Sequence, residues 1–149
     1  MKDDYKKAEA AISDLKAGNV RGIEPAIQFL KADIYEYRSG YLKEYLWRYL
    51  LRVPLSERQI ERLLQVGGKY LHRRITREFR SMCRLATRIA SEEFREYVQE
   101  LAESSVDNGV RARAKLLNAY LTSLEVGEKT RVRLVSSPME GGSVISDEA

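Results

Sequence analysis

The stretch Arg38–Val53, RSGYLKEYLWRYLLRV, narrows the folds open to this chain more than any other. Wound as a helix, it sets Tyr41, Tyr45 and Tyr49 along one side with Leu42, Leu46 and Leu50 beside them. Trp47 and Leu51 come round on the far side and leave a narrow wedge for Glu44, Arg48 and Arg52. A helix apolar over most of its circumference must be covered on more than one side. Helices are therefore expected before and after it. The tyrosines are expected in the core, with hydroxyls satisfied by local partners at its margin. A binding face is the alternative reading of the same stripe.

The flanking sequence supplies those helices. Tyr5, Ala8, Ile12 and Leu15 recur at helical spacing and predict a first helix over Asp3–Ala17, ended by Gly18-Asn19. Ile23, Ala26, Ile27 and Leu30 predict a second over Gly22–Ile34, with Pro25 near its start, where a missing N–H costs little. After Pro54, Ser56 and Gln59 have the spacing of a capping box, and Leu55 and Ile60 that of a hydrophobic staple. That helix is expected to stop at Gly67-Gly68. The next is predicted over Lys69–Ala90, burying Ile75, Phe79, Met82, Ala86 and Ile89. Ser91-Glu92-Glu93 opens another, with Phe94, Tyr97, Val98 and Leu101 inside. Asp107 caps a last helix to about Glu125, with Val110, Ala114, Leu117, Tyr120, Leu121 and Leu124 inward. GEKTRVRLV alternates like a short strand, and the final residues read as a tail. The expected organisation is one helical domain over residues 1–126 and a flexible segment over 127–149.

The helices recur as pairs about 34 residues apart, a period typical of helical repeat arrays. Tyr41, Tyr45 and Tyr49 answer Ile75, Phe79 and Cys83; Ile60, Leu63 and Leu64 answer Phe94, Tyr97 and Val98, and Ala26, Phe29 and Leu30 before them. Two segments carry a family likeness. Ile23-Glu24-Pro25-Ala26-Ile27-Gln28-Phe29-Leu30-Lys31-Ala32-Asp33 resembles the inner helix of HEAT-like repeats, and Asp107-Asn108-Gly109-Val110-Arg111-Ala112-Arg113-Ala114 resembles the start of an outer one. The resemblance spans roughly residues 18–126. Its middle units depart from the family pattern, with Tyr45 and Phe79 where alanine is usual. It implies an all-α fold, a short right-handed α-α superhelix of HEAT-like helical hairpins, and says little of function, because one fold hosts many.

Several function classes find no support. His72 is the only histidine, so neither a His-based metal cluster nor a Ser-His-Asp triad can form. Gly67-Gly68 lacks the surrounding residues of a phosphate loop. No catalytic pattern of the HEAT-like enzymes, such as pigment lyases and DNA glycosylases, maps onto positions here. The single cysteine, Cys83, falls on an apolar side and reads as an inert buried thiol. It cannot form an internal disulfide, which agrees with a cytoplasmic setting. No leader-like apolar core opens the chain, and no run of 18 apolar residues exists, so membrane insertion is not expected. Neither a cofactor nor a metal is expected.

Charge is the remaining clue. From Arg38 to Arg95 there are 14 basic and 6 acidic residues. On one long helix Arg73, Arg77, Arg80, Arg84 and Arg88 would form a single stripe opposite Ile75, Phe79, Met82 and Ala86, with Glu78 off to its side. Such a stripe suits an anionic partner, while the bland reading is a solvated face. Helices lining the groove of the superhelix would present Glu57, Arg58, Glu61, Arg62, Arg95 and Gln99, a mixed wall better matched to a protein or peptide than to a duplex. The expectation is a non-catalytic protein-interaction or scaffold module. Nucleic-acid binding through the arginine stripe is its alternative, and a homodimer through the C-terminal solenoid end would cover an unpaired last helix.

Overall fold

The computed structural model describes residues 2–36 and 38–131, with side chains described as far as Ser123. Among these residues the chain is all helical. Helix α1 spans Lys2–Lys16, α2 Ile23–Ala32, α3 Ser39–Tyr49, α4 Glu57–Tyr70, α5 Phe79–Ile89, α6 Glu92–Ser104 and α7 Asn108–Arg131. Short 3-10 turns at Val20–Gly22 and Leu50–Arg52 lead into α2 and out of α3.

The helix ends follow local chemistry. Gly18 takes φ +79°, the left-handed conformation that ends α1 at little cost. Ser56 accepts from the Gln59 N–H at 3.2 Å while the Gln59 side chain accepts from the Ser56 N–H at 2.9 Å, a closed capping box. Ser91 caps α6 through the Phe94 N–H, and Asp107 accepts from the Val110 N–H at 2.9 Å at the start of α7.

Packing sorts the helices into two rows. In one, α3 lies between α1 and α5, and α5 also contacts α7. In the other, α2 contacts α4, and Gly68 of α4 faces Phe94 and Tyr97 of α6. The rows meet where α1 and α3 touch α2, α4 touches α5, and α6 packs along α7. Between them lies one apolar core, including Leu15, Ile27, Leu30, Leu46, Trp47, Leu50, Leu63, Leu71, Phe79 and Met82. Trp47 donates its indole N–H to the Tyr70 hydroxyl at 3.1 Å, so both polar groups are satisfied within the core.

Five sequence expectations change. Helix α4 does not stop at Gly67-Gly68 but runs through to Tyr70. A Cβ at Gly67 would lie 3.1 Å from the Met82 sulfur, so the glycine admits α5 at close range rather than breaking the helix. The helix predicted over Lys69–Ala90 begins only at Phe79; residues 71–78 form a connecting loop, and Ile75 is exposed. The tyrosine stripe of α3 is not core. Tyr41 and Tyr45 lie at the surface, because Leu42, Lys43, Leu46, Trp47 and Leu50 take the buried side. Finally, Gly127–Arg131 continue α7, not a strand. The rest of the predicted strand and tail, and the Leu124 side chain, lie outside the described residues. Tyr97, expected inside α6, is also exposed.

Candidate interaction surfaces

The late start of α5 dissolves the single arginine stripe. Arg73 leaves it altogether, because it sits in the 71–78 loop and turns into the protein. Its guanidinium lies 3.7 Å from the centroid of the Tyr70 ring, 3.2 Å from the Asp33 carboxylate and 3.0 Å from Glu78. Lys43 completes the group, 2.7 Å from Asp33 and 3.9 Å from Glu78, beneath the Tyr35 ring. Lys43 and Glu78 side chains are each only 1% exposed. Two cations thus balance two carboxylates. Asp33 reaches the group from the left-handed C-cap of α2 at φ 50°, a conformation Asp tolerates better than most residues.

This cluster ties the turn after α2, the body of α3 and the loop before α5 to one another. Burial, with the Glu78 charge adding to it, pushes the neighbouring Tyr70 hydroxyl far above its ordinary pKa. The sequence reading missed the cluster, although a signal was present. Lys43 stands three, four and seven residues before Leu46, Trp47 and Leu50, a charged residue on the side of α3 that the core covers.

The remaining arginines of the expected stripe stay on the surface. Arg77, now in the loop, donates to Glu44 at 2.7 Å and lies 3.8 Å from the Tyr41 ring centroid. Arg80 donates to the Tyr120 hydroxyl of α7 at 3.2 Å. Arg84 and Arg88 follow along α5, exposed and without an acidic partner among the described residues. Beside them the exposed strip of α3 alternates rings and cations: Arg48 lies over Tyr45 at 5.2 Å, and Arg52 and Lys16 lie over Tyr49 at 4.9 and 5.7 Å. These contacts join α1, α3, α5 and α7 into one continuous Tyr–Arg face.

On the opposite row exposed acids outnumber the exposed cations, which are Lys31, Arg58 and Lys69. Exposed charge on α6 is acidic throughout, from Glu92, Glu93, Glu96, Glu100 and Glu103, and Glu57 and Glu61 extend it onto α4. Of the expected groove residues, Glu57, Arg58, Glu61 and Gln99 are exposed. Arg62 and Arg95 are not free for a partner. Arg62 forms a two-pronged pair with Glu24 across α2 and α4 at 2.7 and 2.8 Å. Arg62 and Gln28 hydrogen bonds hold the Glu24 carboxyl at a pKa of about 2. Arg95 reaches the Leu121 carbonyl of α7 at 3.3 Å. Tyr97 stands exposed among the acids, its hydroxyl 2.8 Å from His72.

No three His, Cys, Asp or Glu side chains among the described residues are placed to hold a metal ion. No helix among the described residues is long and apolar enough to cross a membrane. The crevice between Trp47, Leu63, Met82 and Phe94 is closed by its own side chains. No family model matches the chain, and no curated protein or solved structure is significantly similar to it.

Proposed function

We propose that this chain is a non-catalytic interaction module: a short right-handed HEAT-like solenoid that binds a protein or peptide segment on its acidic row. The solenoid reading is supported by the starts of α2, α4 and α6 at residues 23, 57 and 92, a spacing close to the repeat period of the sequence. The binding reading rests on one observation. On α6 the exposed Tyr97 is flanked by exposed Glu96 and Glu100, while Glu57 and Glu61 are exposed on α4 and Arg62 and Arg95 are engaged in interhelix contacts. An exposed aromatic anchor beside carboxylates matches a segment carrying lysine or arginine.

The test is titration of labelled Lys/Arg-rich, neutral and acidic peptides against the wild-type chain and against Glu96→Lys/Glu100→Lys. Binding confined to the basic peptide and weakened at least tenfold in the double variant is expected. Equal affinity for all three peptides, or no effect of charge reversal, rejects the assignment. A homodimer through α7 is the accompanying proposal. Light scattering that gives the monomer mass of 17.2 kDa at high concentration would exclude it.

A further inference from the structure

The Tyr–Arg face belongs to the other row and calls for a different partner. Lys16, Arg48, Arg52, Arg77, Arg80, Arg84 and Arg88 lie on it; among the described residues the acids beside them are Glu44, already shared between Arg48 and Arg77, and Glu9, already paired with Arg38. Arg80, Arg84 and Arg88 rise along α5 in steps of four residues, about 6 Å each. Next to them Tyr41 and Tyr45 remain 47% and 38% exposed, although leucines at the same margin are buried. Tyr45 and Tyr49 stack with centroids 6.2 Å apart at an interplanar angle of 25°. Two features therefore coincide: a row of guanidiniums with no acidic partner among the described residues and a ladder of aromatic faces.

We propose that this face binds single-stranded nucleic acid, with Arg80, Arg84 and Arg88 tracking the phosphates and Tyr41 and Tyr45 stacking on unpaired bases. A phosphate chain uses the guanidinium row, and unpaired bases use the rings; stacking on aromatic side chains is tolerant of sequence and is open only to bases out of a duplex. A double helix would engage the arginines and leave the rings idle. An acidic peptide supplies charge without flat partners for the tyrosines.

Fluorescence anisotropy with labelled 15-nucleotide oligo(dT), oligo(rU) and a mixed-sequence duplex tests the proposal. With about five phosphates neutralised, affinity for single strands should fall roughly 100-fold between 50 and 200 mM salt. Arg84→Glu/Arg88→Glu should weaken binding and flatten that salt dependence, and neither side chain has a partner to lose among the described residues. Tyr41→Ala/Tyr45→Ala should weaken binding at least tenfold with the salt dependence unchanged. Tyr41→Leu/Tyr45→Leu, which keeps apolar bulk, serves if the alanine pair loses helicity by circular dichroism. The idea is overturned by no binding at 50 mM salt. It is equally overturned by duplex binding as tight as single-strand binding with both tyrosine pairs silent, or by a poly-glutamate peptide outcompeting the oligonucleotides.

Discussion

Lys43→Met is the most informative single perturbation of this fold. The lysine ammonium lies 2.7 Å from Asp33 and 3.9 Å from Glu78, and its side chain is 1% exposed. Taking it away leaves two carboxylates facing Arg73 alone, one of them fully buried. Breaking a buried ion pair by removing one partner costs about 3–5 kcal/mol, mostly as the penalty of the stranded charge. Asp33 is 30% exposed and recovers part of its hydration, which places the expected loss at the lower end, about 3 kcal/mol. With a urea dependence of about 1–3 kcal/mol/M, the unfolding midpoint should move down by about 1–3 M. Glu78→Gln should cost a similar amount, because it strands Lys43 and Arg73 against Asp33 alone. The double variant restores balance, with Arg73 still 3.2 Å from Asp33. It should therefore be more stable than the sum of the single effects allows by about 1–3 kcal/mol. Urea unfolding followed by circular dichroism measures all four species. Additive single effects would refute the reasoning, since they would mean that each charge is solvated independently.

Three further outcomes are expected. Gly22→Ala should destabilise by about 1–3 kcal/mol, because its Cβ would lie 2.7 Å from the Ala11 carbonyl and 2.9 Å from Leu15 in the joint between α1 and α2; thermal unfolding measures this, and unchanged stability would show that the joint relaxes. Burial pushes the Cys83 thiol up to about 12, so it should resist iodoacetamide at pH 8 in the native chain and react in urea, with labelling read by mass spectrometry. Glu24→Gln should lower stability slightly at neutral pH, the wild-type advantage fading as pH falls from the ordinary carboxylate range through about 2. The sign follows from a folded-state pKa held below the unfolded one. A variant difference that persists in acid would locate the effect in packing instead of charge.

The division between local and tertiary information is visible at particular residues. Ser56, Gln59, Ser91, Asp107 and Gly18 work through groups one to three residues away, so the sequence alone placed the ends they control. The apolar spacing likewise anticipated the seven helices of the described residues and most of their core, from Leu15 to Leu121, though it also suggested a strand where α7 continues. Gly67-Gly68 misled because nothing local distinguishes a helix breaker from a contact point; Met82, from another helix, makes it the latter. The reach from Arg73 to Tyr70 was unreadable for the same reason, since continuing the helix through residues 71–78 satisfies the periodicity equally well. Asp33 and Lys43, which meet Arg73 and Glu78 from 30 or more residues away, accompany a loop there instead. That loop removed Arg73 from the surface and left Arg77, Arg80, Arg84 and Arg88 beside the α3 tyrosines. Composition had already set the excess of positive charge in this region. Only the packing of α3 between α1 and α5 decided that aromatic rings and guanidiniums share one exposed face, because burial on α3 depends on which neighbours cover it.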